Sequence, residues 1–246
     1  MFSKSNLAYT KRSHARNISV YGDMVVAWFC PSMLLCDRLS GMKELKDTYD
    51  EIAQDWHIDH MNDDWWLAHI GALTSLLPAH ASILDVGCGP GHKSRYFMEQ
   101  GFKVTGIDFS PQMVEISRDY VPSAAFDVLD MYDIATITER FDCVYVCAAL
   151  LHIPKKDCPE VIKNMSMLLN PEGLLYVSVK ELRSDQEEEA VYKEHDYGYE
   201  YERFFSYFSR VEVEEYFKNA GLEIVHSDVT PSGKTNWIQV IGRRVG

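Results

Sequence analysis

The chain has 246 residues, of which 46% are hydrophobic, so it is long enough and apolar enough to bury a sizeable core. Its 24 Lys and Arg residues against 37 Asp and Glu residues give a formal net charge of -13, and no basic patch gathers in the main body, which argues against a nucleic-acid partner. The six cysteines show neither a disulfide framework nor paired CxxC metal spacing, so we expect reduced thiols and a cytoplasmic protein.

The first 41 residues differ in character from the rest of the chain. A basic start is followed by the apolar run MVVAWFCPSMLLC, a combination that resembles a targeting segment. Pro31 interrupts this run, no A-x-A cleavage pattern follows, and the run is too short to span a bilayer, so we expect no membrane association. We expect residues 1–41 to form a dispensable or disordered extension, without a helix or strand pattern tied to the core. Residues 42–246 would then form the single working domain, although a targeting role for the extension stays open.

From Met42 on, helical and strand patterns alternate without an internal repeat or an obvious linker. Helices are predicted over residues 43–56, 63–77, Pro111–Tyr120 and Cys158–Leu169. Strands are predicted over Ser82–Val86, Lys103–Ile107, Ala124–Leu129, Asp142–Cys147, Leu174–Val179, Leu222–Val229 and Asn236–Gly242. The alternation predicts an α/β fold with a doubly wound, mostly parallel seven-stranded sheet preceded by N-terminal helices. The sequence NPEG before the fifth strand favours a type I turn.

Three closely spaced glycines follow the first predicted strand. In an open parallel sheet the ligand lies beyond the carboxyl ends of the strands, where a backbone without Cβ can approach it. Gly87, Gly89 and Gly91 stand at that place, and Asp108 ends the second strand about 20 residues on, the usual distance for a carboxylate that binds ribose hydroxyls. The pattern therefore predicts that a nucleoside binds here.

The spacing of the glycines distinguishes between nucleoside cofactors. A dinucleotide fingerprint reads GxGxxG, whereas GCGPG is GxGxG. The stretches ILDVGCGPG and VTGIDFS closely resemble the first two motifs of the class I S-adenosylmethionine-dependent methyltransferases of the small-molecule type. FDVLDMYDI, FDCVYVCAALLHIP and LLNPEGLLYVSV resemble further motifs of that family in the right order, and the resemblance covers residues 49–244. It implies a Rossmann-like methyltransferase fold and S-adenosyl-L-methionine as cofactor.

The resemblance implies a role in the cofactor site for each matching residue. Gly87, Gly89 and Gly91 would pass under the amino acid part of the cofactor, with Asp85 near its amino group. Asp108 would accept hydrogen bonds from the ribose hydroxyls.

The adenine ring is assigned to the segments that follow. Four residues would contact it: Phe109, Met113, Asp130 and, through its backbone, Met131. Packing between helix and sheet explains Phe109 and Met113 equally well. Asp127 and Asp133 are close enough in sequence to take the role of Asp130.

His152 and Tyr49 are the candidate catalytic residues. His152 follows the fourth strand, whose carboxyl end borders a crevice with that of the first strand, and it could accept a proton from a hydroxyl or amine near neutral pH. Tyr49 resembles a position from which some small-molecule relatives close over the cofactor and pair with such a histidine. The resemblance implies direct displacement at the sulfonium methyl, in which the enzyme aligns the reactants and excludes water. Alternatively, His152 only hydrogen-bonds the backbone at a strand end.

The acceptor is expected to be a small molecule that offers an oxygen or nitrogen nucleophile. No NPPY or DPPY sequence follows the fourth strand, which argues against methylation of a nucleobase or a glutamine amide. Two alternatives remain: an inactive regulatory module that binds the cofactor and, less favoured by the GxGxG spacing, an NAD-dependent oxidoreductase. We expect a monomer or homodimer. No metal is expected, because no further group of ligand residues in the sequence completes a metal site with His57 and His60.

One long insertion, residues 180–209, separates the fifth and sixth strands. It is rich in acids and aromatic residues. It is either a solvated helix followed by ordinary packing or, as in relatives of this shape, a lid over the acceptor.

Overall fold

The opening helix is longer than the sequence pattern indicates. A computed structural model describes residues 20–21, 24–25 and 31–245, and in it helix α1 spans Pro31–His60. Proline suits the first position of a helix, because the N–H that it lacks would have no partner inside the helix there. The sequence pattern predicts that the first helix begins at Lys43, and this start is wrong, because α1 begins at Pro31.

The chain divides into two compact units, Met1–Met42 and Lys43–Gly246. Most of the expected extension lies outside the described residues, and whether it is dispensable stays a prediction. In the first unit the described strands are β1 (Val20–Tyr21) and β2 (Met24–Val25), which pair antiparallel.

The second unit is built on a seven-stranded sheet in the order β10-β11-β7-β6-β3-β4-β5. Its strands are β3 (Ser82–Val86), β4 (Lys103–Asp108), β5 (Ala125–Val128), β6 (Phe141–Cys147), β7 (Leu169–Lys180), β10 (Leu222–Ser232) and β11 (Thr235–Arg244). The pairs among β3 to β7 are parallel, whereas β11 pairs antiparallel with β7 and with β10. The predicted doubly wound, mostly parallel sheet is confirmed.

Among the described residues, five further α-helices accompany the sheet: α2 (Leu67–Leu76), α3 (His92–Glu99), α4 (Pro111–Tyr120), α5 (Cys158–Met167) and α6 (Arg210–Asn219). Both faces of the sheet are buried. The neighbouring residues Ile83 and Leu84 point to opposite faces, and each is fully buried in a different core cluster. Strand β3 lies between β4 and β6, so the chain order reverses beside it. The carboxyl ends of β3 and β6 therefore border the crevice in which such sheets bind ligands.

The long insertion forms a β-hairpin instead of the helix considered from the sequence. Strands β8 (Glu189–Glu194) and β9 (Tyr201–Ser206) pair antiparallel, with Gly198 in the left-handed region at the turn. Strand β9 has the sequence YERFFS, and its Tyr and Phe residues favour a strand over a helix. We refer to residues 189–206 as the hairpin.

The NPEG segment differs from the type I turn that the sequence favours. Residues 170–173 bulge out between the pairs Phe141↔Leu169 and Cys143↔Leu174, and Glu172 has φ 63. A positive φ at the third turn residue is the mark of a type II turn, which glycine normally provides. Glu172 therefore holds a left-handed conformation that costs a side-chain-bearing residue about 1–2 kcal/mol.

Glu172→Gly is expected to stabilise the fold. Relief of the left-handed strain, less the greater backbone entropy of glycine in the unfolded chain, leaves a gain of about 0.5–1 kcal/mol. Thermal unfolding measures it. Glu172→Ala is the control, because it removes the same charge but keeps Cβ, and should not gain; a glycine variant no more stable than the alanine variant would contradict the account.

Candidate functional site

The first glycine of the loop is required by packing. Gly87 has φ 69 and donates its N–H to the Ile107 carbonyl at 2.8 Å, which ties the loop to β4. A Cβ at Gly87 would lie 2.4 Å from the Cβ of Ala149, in the turn after β6. Only glycine therefore allows the ends of β3 and β6 to approach this closely.

The other two glycines differ in what surrounds them. A Cβ at Gly91 would lie 3.2 Å from the Cβ of Ser117 in α4, and Gly91 precedes α3 with φ 85. Gly89 also has a positive φ, 53, yet a Cβ there would meet nothing within 4 Å. Open space beside a bare backbone is the feature expected of a loop that a ligand approaches closely.

Asp108 lies next to that open space, at the carboxyl end of β4. It is 5% exposed, and its two carboxylate oxygens accept the N–H groups of Gly89 and Ser110, each at 2.9 Å. Burial raises its pKa to about 6, although the two N–H donors work against the shift. Each oxygen keeps a lone pair for one more donor, so the group fits a ligand that offers a pair of hydroxyls.

Asp85 is the second buried carboxylate of the loop region. It is 2% exposed, and Ser94 in α3 donates its hydroxyl to Oδ2 at 2.6 Å. Burial raises the pKa of Asp85 to about 6, opposed by the Ser94 hydrogen bond and the charge of Lys93. A cationic group bound beside it would offset the cost of burying this charge.

The predicted adenine contacts lie on elements near Asp108. Met113 is only 1% exposed and packs in a cluster with residues of α1, among them Tyr49 and Ile52. Phe109 is half-buried, with its ring centroid 5.7 Å from that of Tyr49. In the described structure both side chains have packing roles, and their contact with adenine stays a prediction.

Asp130 lies two residues after the end of β5 and directly precedes a 3₁₀-helix over Met131–Thr136. Its Oδ1 accepts the N–H of Tyr132 at 3.0 Å, and Met131 is half-buried beside the main core cluster. Asp127 instead is exposed beside Arg118, with 3.8 Å between their charged atoms. This placement favours Asp130 over Asp127 as the group at the adenine edge, a role that stays a prediction.

The structure brings the two candidate catalytic residues together. The Tyr49 hydroxyl of α1 lies 2.8 Å from Nε2 of His152, and Nδ1 of His152 lies 2.8 Å from the carbonyl oxygen of Phe204 in the hairpin. Because a carbonyl only accepts, Nδ1 carries the proton, and Nε2 accepts the hydrogen bond from Tyr49. The contact between the two residues is present, and their catalytic role stays a prediction.

The pKa of His152 lies well below the near-neutral value of a free imidazole, and its role as a base stays a prediction. Burial lowers the pKa of His152 to about 3, and the charges of Arg203 and Lys180 add to the shift, while the bond to Phe204 opposes it. Burial also raises the pKa of Tyr49, although the nearby Arg203 lowers it. Both groups are therefore neutral between pH 5 and 9.

Sequence reasoning missed the charged residues of the site. Arg203 is 9% exposed, donates through both Nε and Nη2 to Glu194, and directs Nη1 at the Tyr49 hydroxyl at 3.5 Å. Lys180, the last residue of β7, lies with Nζ 4.1 Å from the ring centroid of Phe205. The available signal was a lone arginine in the aromatic sequence YERFFS and a lysine that ends a buried strand.

The hairpin is joined to α1 and to the turn after β6. Thr48 donates its hydroxyl to the Glu202 carbonyl at 3.1 Å, and the Tyr199 hydroxyl donates to Asp55 at 2.8 Å. Helix α1 is in turn joined to the start of α4, where Ser110 donates to Asp50 at 2.6 Å. The hairpin and α1 thus close over the Tyr49–His152 contact.

The histidines singled out from the sequence have protein partners. His57 Nδ1 lies 2.9 Å from Nε2 of His92, and the ring of His60 stacks on Trp56 at 3.8 Å. In the part of the chain that the structure describes, no three His, Cys, Asp or Glu side chains converge as metal ligands. Among the described helices, none has the length and apolarity needed to cross a membrane.

Comparisons with known proteins agree with this geometry. A family described as methyltransferase domain matches residues 66–227. Over 136 residues the chain is 35% identical to YqeM of Bacillus subtilis (strain 168), which is provisionally named as a methyltransferase. The matched region covers 53% of this chain and 52% of that protein. The ubiquinone biosynthesis O-methyltransferase of Coxiella burnetii (strain RSA 493 / Nine Mile phase I) is 29% identical over 147 residues, 55% of this chain and 61% of the relative.

A solved structure shares the fold. The 1,6-didemethyltoxoflavin-N1-methyltransferase of Burkholderia thailandensis, crystallised with 1,6-didemethyltoxoflavin and S-adenosylhomocysteine, superposes with a TM-score of 0.66 at 19% identity, covering 93% of this chain and 98% of that one. The chain spans only about half to three fifths of the length of the curated relatives it matches.

Proposed function

The chain belongs to the methyltransferase-domain family, and from this premise we propose that it transfers a methyl group from S-adenosyl-L-methionine to a small-molecule acceptor. The observation that carries the proposal is the buried Asp108 carboxylate, held by backbone N–H groups beside the open space at Gly89. A ribose offers the hydroxyl pair that this carboxylate can accept. The GxGxG spacing does not reproduce the pyrophosphate turn of an NAD-binding loop, which weighs against the oxidoreductase alternative.

The residues of the glycine loop are proposed to bind and orient the cofactor. Gly87 and Gly91 would shape the loop by close packing, and Gly89 would leave the space that the amino acid part of the cofactor approaches, with Asp85 near its amino group. Asp108 would accept hydrogen bonds from the ribose hydroxyls. When bound, S-adenosylmethionine supplies a methyl group activated on a sulfonium sulfur, and transfer leaves S-adenosylhomocysteine. Phe109, Met113, Asp130 and Met131 are proposed to hold the adenine.

Tyr49 and His152 are proposed to receive the proton that the acceptor atom loses as it gains the methyl. The Tyr49 hydroxyl already donates to Nε2 of His152, so a proton taken up by the Tyr49 oxygen can be passed on as the tyrosine proton moves to Nε2. Because the pKa of His152 is lowered to about 3, this transfer suits an acceptor atom that becomes strongly acidic on methylation. The hairpin and α1 exclude water from the contact.

The acceptor is proposed to be a small molecule with an oxygen or nitrogen nucleophile. The polar groups gathered at Tyr49, His152 and Arg203 weigh against the alternative of an inactive regulatory module. Cys88, Cys143, Cys147 and Cys158 are free and buried, which supports a reducing, cytoplasmic setting. A monomer or homodimer remains our proposal for the assembly.

Titration calorimetry tests the cofactor class. We expect the wild-type protein to bind S-adenosylmethionine and S-adenosylhomocysteine more tightly than NADH. Asp108→Ala should lose charge-assisted hydrogen bonds to the ribose, worth about 1.5–3 kcal/mol each. Tighter binding of NADH than of either adenosyl compound would refute the assignment.

Cofactor affinity should depend on pH through Asp108. Since its pKa is raised to about 6, the carboxylate takes up a proton as the pH falls through 6 and then accepts hydroxyl donors poorly. We expect the affinity for S-adenosylhomocysteine to fall by at least about tenfold between pH 7 and pH 5. The pKa of Asp85 is also raised to about 6, so both carboxylates contribute to the pH dependence. Asp108→Asn should therefore bind S-adenosylhomocysteine more weakly, and its affinity should depend on one proton fewer over this pH range. A wild-type affinity that is constant from pH 7 to pH 5 would contradict this role.

A further inference from the structure

The geometry points to a class of acceptor: we infer that the acceptor is anionic and that its acid group binds Lys180. This inference rests on the proposed function and makes it more specific. Lys180 ends β7, two residues after Ser178, which pairs with Cys147 at the carboxyl end of β6. The lysine therefore stands at the same sheet edge as the turn that carries His152.

Phe205 connects Lys180 to the proposed catalytic pair. Lys180 Nζ lies 4.1 Å from the centroid of the Phe205 ring, and the same ring lies 4.8 Å from that of His152. Phe205 is itself 4% exposed, so the ammonium group is held against a buried ring rather than extended into solvent. One buried ring thus contacts both the Lys180 ammonium group and the His152 imidazole.

The charges at this place do not balance. The guanidinium group of Arg203 lies near the same ring, 5.1 Å from the Phe205 centroid, and both oxygens of Glu194 are bound to Arg203. For Lys180 Nζ, no hydrogen-bond or ion-pair partner is found among the residues that the structure describes. Two cations thus lie near one carboxylate, which is bound to Arg203, in a chain whose formal net charge is -13.

An anionic ligand would remove this imbalance. Burial and the charge of Arg203 lower the pKa of Lys180 to about 8, with Glu194 opposing the shift, so the lysine is still charged at pH 7 while its solvation is reduced. Partly desolvated ammonium groups without a carboxylate partner bind acid groups more strongly than exposed ones do. A carboxylate on the acceptor is the simplest such group.

The test uses a deproteinised cell extract that is separated on an anion-exchange column at pH 7 before the reaction. The bound fraction and the unbound fraction are each incubated with the full-length protein and methyl-labelled S-adenosylmethionine. We expect at least about tenfold more label to enter small molecules from the bound fraction. Label mainly from the unbound fraction would overturn the anionic acceptor while leaving the methyltransferase assignment in place. Label from neither fraction would refute the proposed function as well.

Two variants test Lys180 itself. At subsaturating acceptor, Lys180→Met is expected to lower incorporation from the bound fraction by about tenfold or more, with the Kd of S-adenosylhomocysteine unchanged within about twofold. Lys163→Met removes the same charge from an exposed position on α5 and should behave as wild type. Wild-type incorporation by Lys180→Met would overturn the inference.

The pH dependence separates binding by the ammonium group from proton abstraction by the amine. The charged and titratable groups that act on Lys180 are Arg203 and Glu194 of the hairpin and His152 of the turn after β6. If Lys180 binds the acid group, kcat/KM should fall about tenfold between pH 7 and pH 9, as the ammonium loses its proton. A kcat/KM that rises over this range would overturn the binding role.

Discussion

Replacing His152 with alanine is expected to lower turnover by about 100-fold or more while the Kd of S-adenosylhomocysteine stays nearly unchanged. The structure gives the reason, because Nε2 is the acceptor for the Tyr49 hydroxyl at 2.8 Å, whereas Asp108 and the glycine loop, proposed to hold the cofactor, lie on other strand ends. Steady-state kinetics with a methyl acceptor and titration calorimetry measure the two quantities. The wild-type rate should not fall between pH 9 and pH 5 on account of His152, since its pKa is lowered to about 3.

His152→Gln is the matched control. A glutamine amide can donate to the Phe204 carbonyl and accept from Tyr49, as the imidazole does, but it cannot take up a proton. If His152 is a base, the glutamine variant should be as slow as the alanine variant. Two results would refute the role of His152 as a base: a glutamine variant with wild-type turnover, or an alanine variant that turns over at close to the wild-type rate from pH 6 to pH 9. Catalysis would then consist of alignment of the reactants and exclusion of water.

Gly89→Ala is expected to abolish measurable cofactor binding while the protein remains folded. A Cβ at Gly89 meets no protein atom within 4 Å, so it would occupy the space proposed for the cofactor and cost the fold only the strain of a positive φ. We expect a loss of affinity of at least about 100-fold and a loss of stability of about 1–2 kcal/mol. Calorimetry and thermal unfolding measure the two effects separately.

Two other glycines provide the controls. Gly221 also has a positive φ, 77, and open space at its Cβ position, but it lies between α6 and β10, away from the loop. Gly221→Ala should lose similar stability and keep its cofactor affinity. Gly87→Ala should instead destabilise the fold strongly, because its Cβ would lie 2.4 Å from that of Ala149. If Gly89→Ala bound cofactor as well as Gly221→Ala, the cofactor would not pass over Gly89.

The sheet could be predicted from the sequence because its signals are local. Apolar runs such as ILDV, glycines at the strand ends and Asp108 at the end of the second strand each constrain their own neighbourhood. The pairing of Tyr49 with His152 was suggested by resemblance to relatives, and not by spacing, since the residues are 103 positions apart.

The charged part of the site could not be predicted in the same way. Lys180, Glu194 and Arg203 come together only because the insertion folds as a hairpin, and its acid-rich sequence also suits a helix. The pKa of His152 likewise depends on burial by the hairpin and on the charges of Arg203 and Lys180, which are brought near by the fold alone. Glu172 shows the same limit at the level of the backbone, because the NPEG sequence suits a type I turn whereas Glu172 has a positive φ of 63.

The most direct test of the methyltransferase assignment is to follow the label from methyl-labelled S-adenosylmethionine in an unfractionated, deproteinised cell extract. The account predicts that the wild-type protein transfers label to a small molecule and forms S-adenosylhomocysteine in equal amount, and that His152→Ala does so about 100-fold more slowly. Binding of the cofactor without any transfer of label would contradict the account and leave the protein as a cofactor-binding module without catalytic activity.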